Sequence, residues 1–128
     1  MPRFVIQEHY ARSHHFDLRL EREGVLISWA VPKGMPTDTK KNRLAMRVDD
    51  HDMSHLDVED ETPVEGIPGA VAKSIWDHGT YTSERFDDEM VIVALDGERL
   101  EGRYAIFLTH GKSWLVHLMQ EEGEDQGH

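Results

Sequence analysis

From His15 to Glu21 the chain alternates: Phe16, Leu18 and Leu20 are apolar, and His15, Asp17, Arg19 and Glu21 stand between them. A strand turns successive side chains to opposite faces. This segment therefore has one face for a core and a second that presents an imidazole, two carboxylates and a guanidinium. Short β-prone runs recur down the chain at 4–6, 25–31, 43–48, 72–76, 90–95, 104–108 and 114–119. Turn residues punctuate them: Arg22-Glu23-Gly24, Pro32-Lys33-Gly34-Met35-Pro36, Asp77-His78-Gly79-Thr80, Asp96-Gly97 and His110-Gly111-Lys112-Ser113. Residues 81–83 resume pairing after one turn, and 99–103 bridge into the strand at 104–108. Residues 56–72, broken by Pro63, Gly66, Pro68 and Gly69, read as a loop with at most a short strand. About eight short strands with turns every ~8–12 residues, and no amphipathic helix of any length, predict an all-β antiparallel barrel or sandwich. In 43–48, Leu44, Met46 and Val48 are expected to face in, and Arg43, Ala45 and Arg47 out. Trp29, Trp76 and Trp114 each lie in a β-prone run and are expected to pack in the core or at its rim.

Composition narrows the chemistry. The 128 residues suit one domain, expected over 1–120, with an acidic tail at 121–128 expected to be disordered. There is no cysteine, which excludes disulfides and thiolate metal sites. No run is apolar enough for a membrane span and no signal pattern opens the chain, so a cytoplasmic location without membrane contact is expected. The net charge of −11 is unevenly spread. Residues 1–50 hold 9 Lys and Arg against 7 Asp and Glu, a net +2, and residues 51–128 hold 5 against 18, a net −13. A nucleic-acid contact, if made, is expected to be short and confined to the first half.

The second face of 15–21 is where chemistry is concentrated. His15 and Asp17 are neighbours on it, close enough to share an ion. Arg19 follows, placed to hold an anion beside that ion. His9 lies six residues before His15, across Ala11-Arg12-Ser13, and folds back as a third ligand. Two imidazoles and one carboxylate suit a first-row divalent metal with positions left open. The same residues also describe an ordinary solvated strand face. A ligand set of this type also fits a non-haem iron or cupin-like oxygenase. Arg19 beside the ion favours phosphate, and nothing in the sequence supplies an organic-substrate pocket. Lys33, between proline and glycine on a stiffened backbone, has the reach for a phosphate. His51 and His55 are four apart, a spacing that sets them side by side on a helical turn.

Several stretches together resemble one family. Phe4-Val5-Ile6-Gln7-Glu8-His9, His15-Phe16-Asp17-Leu18-Arg19-Leu20-Glu21 and Gly24-Val25-Leu26-Ile27-Ser28-Trp29-Ala30-Val31-Pro32-Lys33-Gly34 are similar to the 3′-phosphoesterase domain of bacterial DNA ligase D and its stand-alone relatives. Arg43-Leu44-Ala45, Asp50-His51, Trp76-Asp77, Gly79, Leu100-Glu101-Gly102-Arg103-Tyr104 and Trp114-Leu115 continue the match to about Met119. The resemblance implies a closed β-barrel with the site in an external groove. It implies a manganese-dependent enzyme, with Co2+ or Zn2+ as other first-row candidates, that trims 3′ ends in DNA break repair by end joining. Such enzymes remove a terminal ribonucleoside and then hydrolyse the 3′-phosphate to a 3′-hydroxyl. By position His9, His15 and Asp17 match the metal ligands, and Arg19, Lys33, Arg43 and His51 match groups around the scissile phosphate. His51 would donate to the phosphate or act as the general acid; Glu21, on the same strand face, is expected either to orient a site residue from behind or to be simply solvated. The implied partners are DNA 3′ ends and a ligase, polymerase or Ku-type end-joining protein, and a monomer is expected.

The chain departs from the family pattern in three places. His55 stands where the family usually has a tyrosine, so it is carried as a site residue of altered character. Glu65-Gly66-Ile67-Pro68-Gly69-Ala70 replaces a longer glycine-rich segment. The chain opens almost at the first motif, so the N-terminal arm that often grips substrate is expected to be absent. These departures leave a second reading, a DNA-end-binding adaptor of the same fold with little or no turnover.

Overall fold

Period-two sequence between turn residues becomes antiparallel sheet. A computed structural model of the chain describes residues 1–120. Its elements are β1 (Arg3–Tyr10), β2 (His14–Arg22), β3 (Val25–Val31), β4 (Arg43–Asp52), a 3-10 helix (Met53–Asp57), β5 (Asp60–Pro63), β6 (Val71–Phe86), β7 (Met90–Gly97), β8 (Glu101–His110) and β9 (Ser113–Leu118). The strands are hydrogen-bonded in the order β1-β2-β3-β4-β9-β8-β7-β6-β5, and β1 also pairs with β6. Eight strands thus close into a barrel, with β5 as a short extra strand on β6, which settles the choice between barrel and sandwich. The expected tail at 121–128 lies outside the described residues.

The barrel is filled from both walls. Phe4, Ile6, Leu18, Leu20, Trp29 and Val31 meet Val91, Val93, Leu95, Tyr104, Ile106, Trp114 and Val116. Trp29 and Trp114 cross edge to face with ring centroids 5.5 Å apart, and Trp76 packs at the margin under the Arg99 guanidinium, 4.8 Å from its ring centroid. The tryptophans are therefore packing residues, as expected.

Tyr81 and Tyr104 lie in this core, and burial pushes each phenol up to about 12 from an ordinary 10.0. A raised folded-state value favours the neutral phenol. The stabilisation is therefore complete below pH 10 and lost as pH rises through about 12. Alkaline titration is expected to show tyrosinate absorbance rising together with the tryptophan signal of unfolding. Titration of all three tyrosines near pH 10 in a folded protein would contradict it.

Three local expectations change. First, Asp77-His78-Gly79-Thr80 is not a turn but the middle of β6. The β1–β6 register shifts between Ile6 and Gln7, whose partners are Asp77 and Ile75, so Trp76 is an extra residue there. Asp77 is buried, and its carboxylate accepts from the backbone N–H groups of His78, Glu98, Arg99 and Leu100 at 2.8–3.1 Å. Its turn-forming chemistry is thus used on a different turn, the one joining β7 to β8. Second, that turn lies at 98–100 rather than at Asp96-Gly97, with Gly97 N–H donating to Leu100 O at 2.8 Å. Gly97 is required because a Cβ there would sit 2.4 Å from an Asp77 carboxylate oxygen and 2.7 Å from the Phe4 ring. Asp77→Ala is expected to cost about 3–5 kcal/mol by leaving several backbone donors without an acceptor. Urea unfolding measures this, and a loss below about 1 kcal/mol would contradict it.

Third, β4 faces the opposite way from expectation. Ala45 is fully buried beside its cross-strand partner Trp114, whereas Leu44 is 46% exposed. The small Ala45 fits under the indole. Arg47 lies along the barrel mouth with its guanidinium 5.4 Å from the Trp29 ring centroid, donates to Ser28 O at 3.1 Å and pairs with Asp50 at 2.6 Å. A long cation can line an apolar wall with its stem and keep its head in a polar rim.

Candidate metal centre

The site grows out of the β1–β2 hairpin. His9 and His15 are direct cross-strand partners, and so are Gln7 and Asp17, so all four share the outer face. Their side chains converge. His9 Nδ1 stands 3.4 Å from one oxygen of Asp17, and His15 Nε2 stands 3.4 Å from the other. The imidazole centroids are 4.9 Å apart at 63°, and one ligand atom from each residue lies within 4.8 Å of the others. At 3.4 Å these groups do not satisfy one another by hydrogen bonds. They face a common point, and borderline nitrogen and hard oxygen donors are the set a first-row divalent ion takes. His15 Nδ1 is 3.0 Å from Ser13 O, a contact that turns Nε2 toward Asp17.

The outer face is covered rather than solvated. Leu56 of the 3-10 helix packs with Val5 and Leu26, joined by Met53 and Ile75, over the outside of β1, β3 and β6. On the same face Asp17 is 6% exposed and Arg19 only 4%. Arg19 is held inside the wall: Nε donates to Gln7 Oε1 and Nη1 to Ser28 Oγ, both at 2.9 Å, and Nη2 lies 3.7 Å from Asp17. Burial pulls the guanidinium down from its ordinary value while Asp17 pulls it back up, and it stays cationic. Its first task is to fix Asp17.

Gln7 and Ser28 were not singled out from the sequence. Gln7 is fully buried, and its Nε2 donates to His55 O at 2.8 Å and Val58 O at 3.1 Å. One side chain thus ties the hairpin, the buried guanidinium and the 3-10 helix together. Extending the alternation back from His9 through Gln7 to Val5 would have placed it on the site face.

His51 and His55 do come together, with ring centroids 4.5 Å apart, but not on a helical turn. His51 ends β4, paired with Leu26, and His55 belongs to the 3-10 helix that follows. Burial lowers the His51 pKa first, and Arg19 and His55 add to it. His9 is also lowered, first by burial and then by Lys73, against the pull of Asp17. Lys33 is exposed in the loop after β3. Gly34 beside it adopts φ 79° and turns that loop close against Phe16. Arg43 is placed otherwise than expected. It pairs with the buried Val116 and so belongs to the barrel-lining face, opposite Asp17. Glu21 reaches the backbone N–H of Arg3 at 2.8 Å rather than the cluster.

The structure is a closed antiparallel barrel whose outer wall carries two imidazoles, a carboxylate and a buried guanidinium, a cluster that could hold a divalent ion. The family model of the DNA ligase D 3′-phosphoesterase domain matches residues 7–108, and the chain belongs to that family. It is 46% identical to the multifunctional non-homologous end joining protein LigD of Mycobacterium bovis over 96% of its length. It is 47% identical to LigD of Mycolicibacterium smegmatis over 94%, and 40% identical to LigD of Pseudomonas aeruginosa over 84%. The chain spans 17%, 17% and 13% of those relatives' own lengths. Among the described residues no helix is long and apolar enough to cross a membrane.

Proposed function

We propose that this chain hydrolyses phosphate esters at DNA 3′ ends, within the end-joining repair for which its relatives are named. The observation that carries the reading is the convergence of His9, His15 and Asp17 on one point beside a guanidinium fixed by Gln7 and Ser28. His9, His15 and Asp17 would hold a divalent first-row ion, manganese by family resemblance. Such an ion supplies Lewis-acid polarisation of a phosphoryl oxygen. Arg19, with Nη2 3.7 Å from Asp17, holds that carboxylate in place and adds fixed positive charge behind it. His51 and His55, whose rings lie side by side, are donors for phosphate oxygens or for the departing 3′-oxygen. With a 3′-phosphate, water forms the new P–O bond and the 3′-oxygen leaves with a proton, giving a 3′-hydroxyl and inorganic phosphate. With 3′-terminal ribonucleotides, the penultimate sugar's 2′-hydroxyl would attack the phosphorus to give a 2′,3′-cyclic phosphate as the terminal nucleoside leaves through its protonated 5′-oxygen, and water would then open the ring to leave a shortened strand ending in phosphate.

The test is release of phosphate from a primer–template carrying a 3′-phosphate, and shortening of one carrying 3′-ribonucleotides, with manganese added or chelated. Metal-dependent product from both is expected. Binding of the DNA without product under Mn2+, Co2+ and Zn2+ would replace the enzyme reading with that of an end-binding adaptor.

A further inference from the structure

We propose that Lys73 is the accessible cation of this site and binds the backbone phosphodiester next to the reacting 3′ end. The inference rests on the proposed DNA-end reading and adds to it a residue from a different part of the chain. Lys73 is the direct cross-strand partner of His9 on β6, and on its other side the partner of Asp60 on β5. It therefore shares the outer face with the metal-type triad. Asp60, Lys73, His9 and His15 form one transverse row across β5, β6, β1 and β2. The β6 backbone runs about 4.8 Å from that of β1, and the four-carbon stem of lysine extends the reach.

On this row Lys73 is a cation that an incoming anion can reach. Arg19 is 4% exposed and already bonded to Gln7 and Ser28, with Asp17 beside it. Lys73 is only partly buried, and among the described residues it makes no ion pair. Its cross-strand neighbour Asp60 is oriented by Thr62, whose N–H and Oγ1 donate to it at 3.0 and 2.6 Å, and it feels the Lys73 charge without forming an ion pair. A DNA 3′ end whose terminal phosphate lies at the triad continues only in the 5′ direction. The nearest further negative charge is then the adjacent phosphodiester, one nucleotide away, where an ammonium one strand over can meet it. In a chain of net charge −11 such a contact is local, reading one phosphate rather than a long tract.

The experiment compares wild type, Lys73→Gln and Lys73→Arg in the full chain, with melting to confirm that each is folded. Binding of a fluorescent strand ending in a 3′-hydroxyl is measured by anisotropy at several salt concentrations, with and without manganese. Turnover is measured on a 3′-phosphorylated oligonucleotide and on deoxythymidine 3′-phosphate, which has no upstream phosphodiester. Lys73→Gln is expected to weaken strand binding about tenfold, to reduce the log–log salt slope by about 0.7–1, and to raise KM on the oligonucleotide. The ratio of kcat/KM on the oligonucleotide to that on the mononucleotide should fall about tenfold, and Lys73→Arg should restore most of both. Unchanged strand binding and salt slope in Lys73→Gln overturns the proposal, as does an unchanged substrate ratio or a wild type that does not bind the strand. If wild type binds but releases no phosphate, the enzymatic reading fails on its own, and the binding arm still decides the role of Lys73.

Discussion

Asp17→Asn is expected to reduce metal-dependent phosphate release from a 3′-phosphate primer by about a thousandfold and to remove manganese binding detectable by calorimetry. The substitution keeps the shape of the side chain and deletes its charge. Asp17 stands at 3.4 Å from each imidazole, so it is the ligand on which the other two converge. It is also the carboxylate nearest the Arg19 guanidinium, at 3.7 Å with both side chains under 10% exposed. Removing the partner of a buried charge costs about 3–5 kcal/mol. The more drastic Asp17→Ala would mix loss of function with loss of fold, and asparagine, which still offers an oxygen, limits the structural part. The two losses separate by measurement. Melting shows how much fold remains, and turnover at a temperature where the variant is folded shows what the charge contributes to chemistry. Wild-type turnover in a folded Asp17→Asn protein would remove the proposed ligand set.

Gln7→Leu is expected to lower stability by about 3–5 kcal/mol and to impair turnover beyond what unfolding explains. The variant is close in volume, so no large cavity forms. Three groups lose their partner at once: Arg19 Nε, His55 O and Val58 O. Each buried polar group left unsatisfied costs about 1–3 kcal/mol, and the three are coupled, so the sum is less than additive. The catalytic deficit arises because the same amide holds the guanidinium behind Asp17 and seats the helix that carries His55. Gln7→Glu separates the two jobs: it keeps an acceptor for Arg19 but removes the donor to the helix. Intermediate stability is expected for it, with the helix-dependent part of the loss retained. A Gln7→Leu protein within 0.5 kcal/mol of wild type in urea, with wild-type kcat, would show that the helix is seated by its apolar contacts alone.

Much of the site was legible because it is local. His9, His15, Asp17 and Arg19 fall within eleven consecutive residues, and a period of two puts them on one face without knowledge of the rest of the fold. Alternation separates two faces but does not say which is inside. On β2 the apolar members decided it. On β4 the arginines and the aliphatic residues exchanged places, because Ala45 was the residue that fitted under Trp114. The burial of Arg19 was not legible, since it is held by Gln7 on β1 and Ser28 on β3, contacts that no pattern within β2 reports. Asp77 misled for a related reason. Its side chain holds a turn some twenty residues away, whereas local propensity weighs only neighbours. Lys73 enters the site through the β1–β6 pairing that closes the barrel, and no pattern within one strand reports that closure.

The β1 strand has partners on both sides, β2 and β6, so the ligand-bearing segment has no free edge and does not depend on a loop for its shape. Its amide protons are locked into the ladder that must open for the whole barrel to come apart. Hydrogen exchange at His9, and at Asp17 on β2, which is itself paired on both sides, should then proceed only through global opening. On slow heating, the arrangement of His9, His15 and Asp17 should persist to the melting transition and vanish with it.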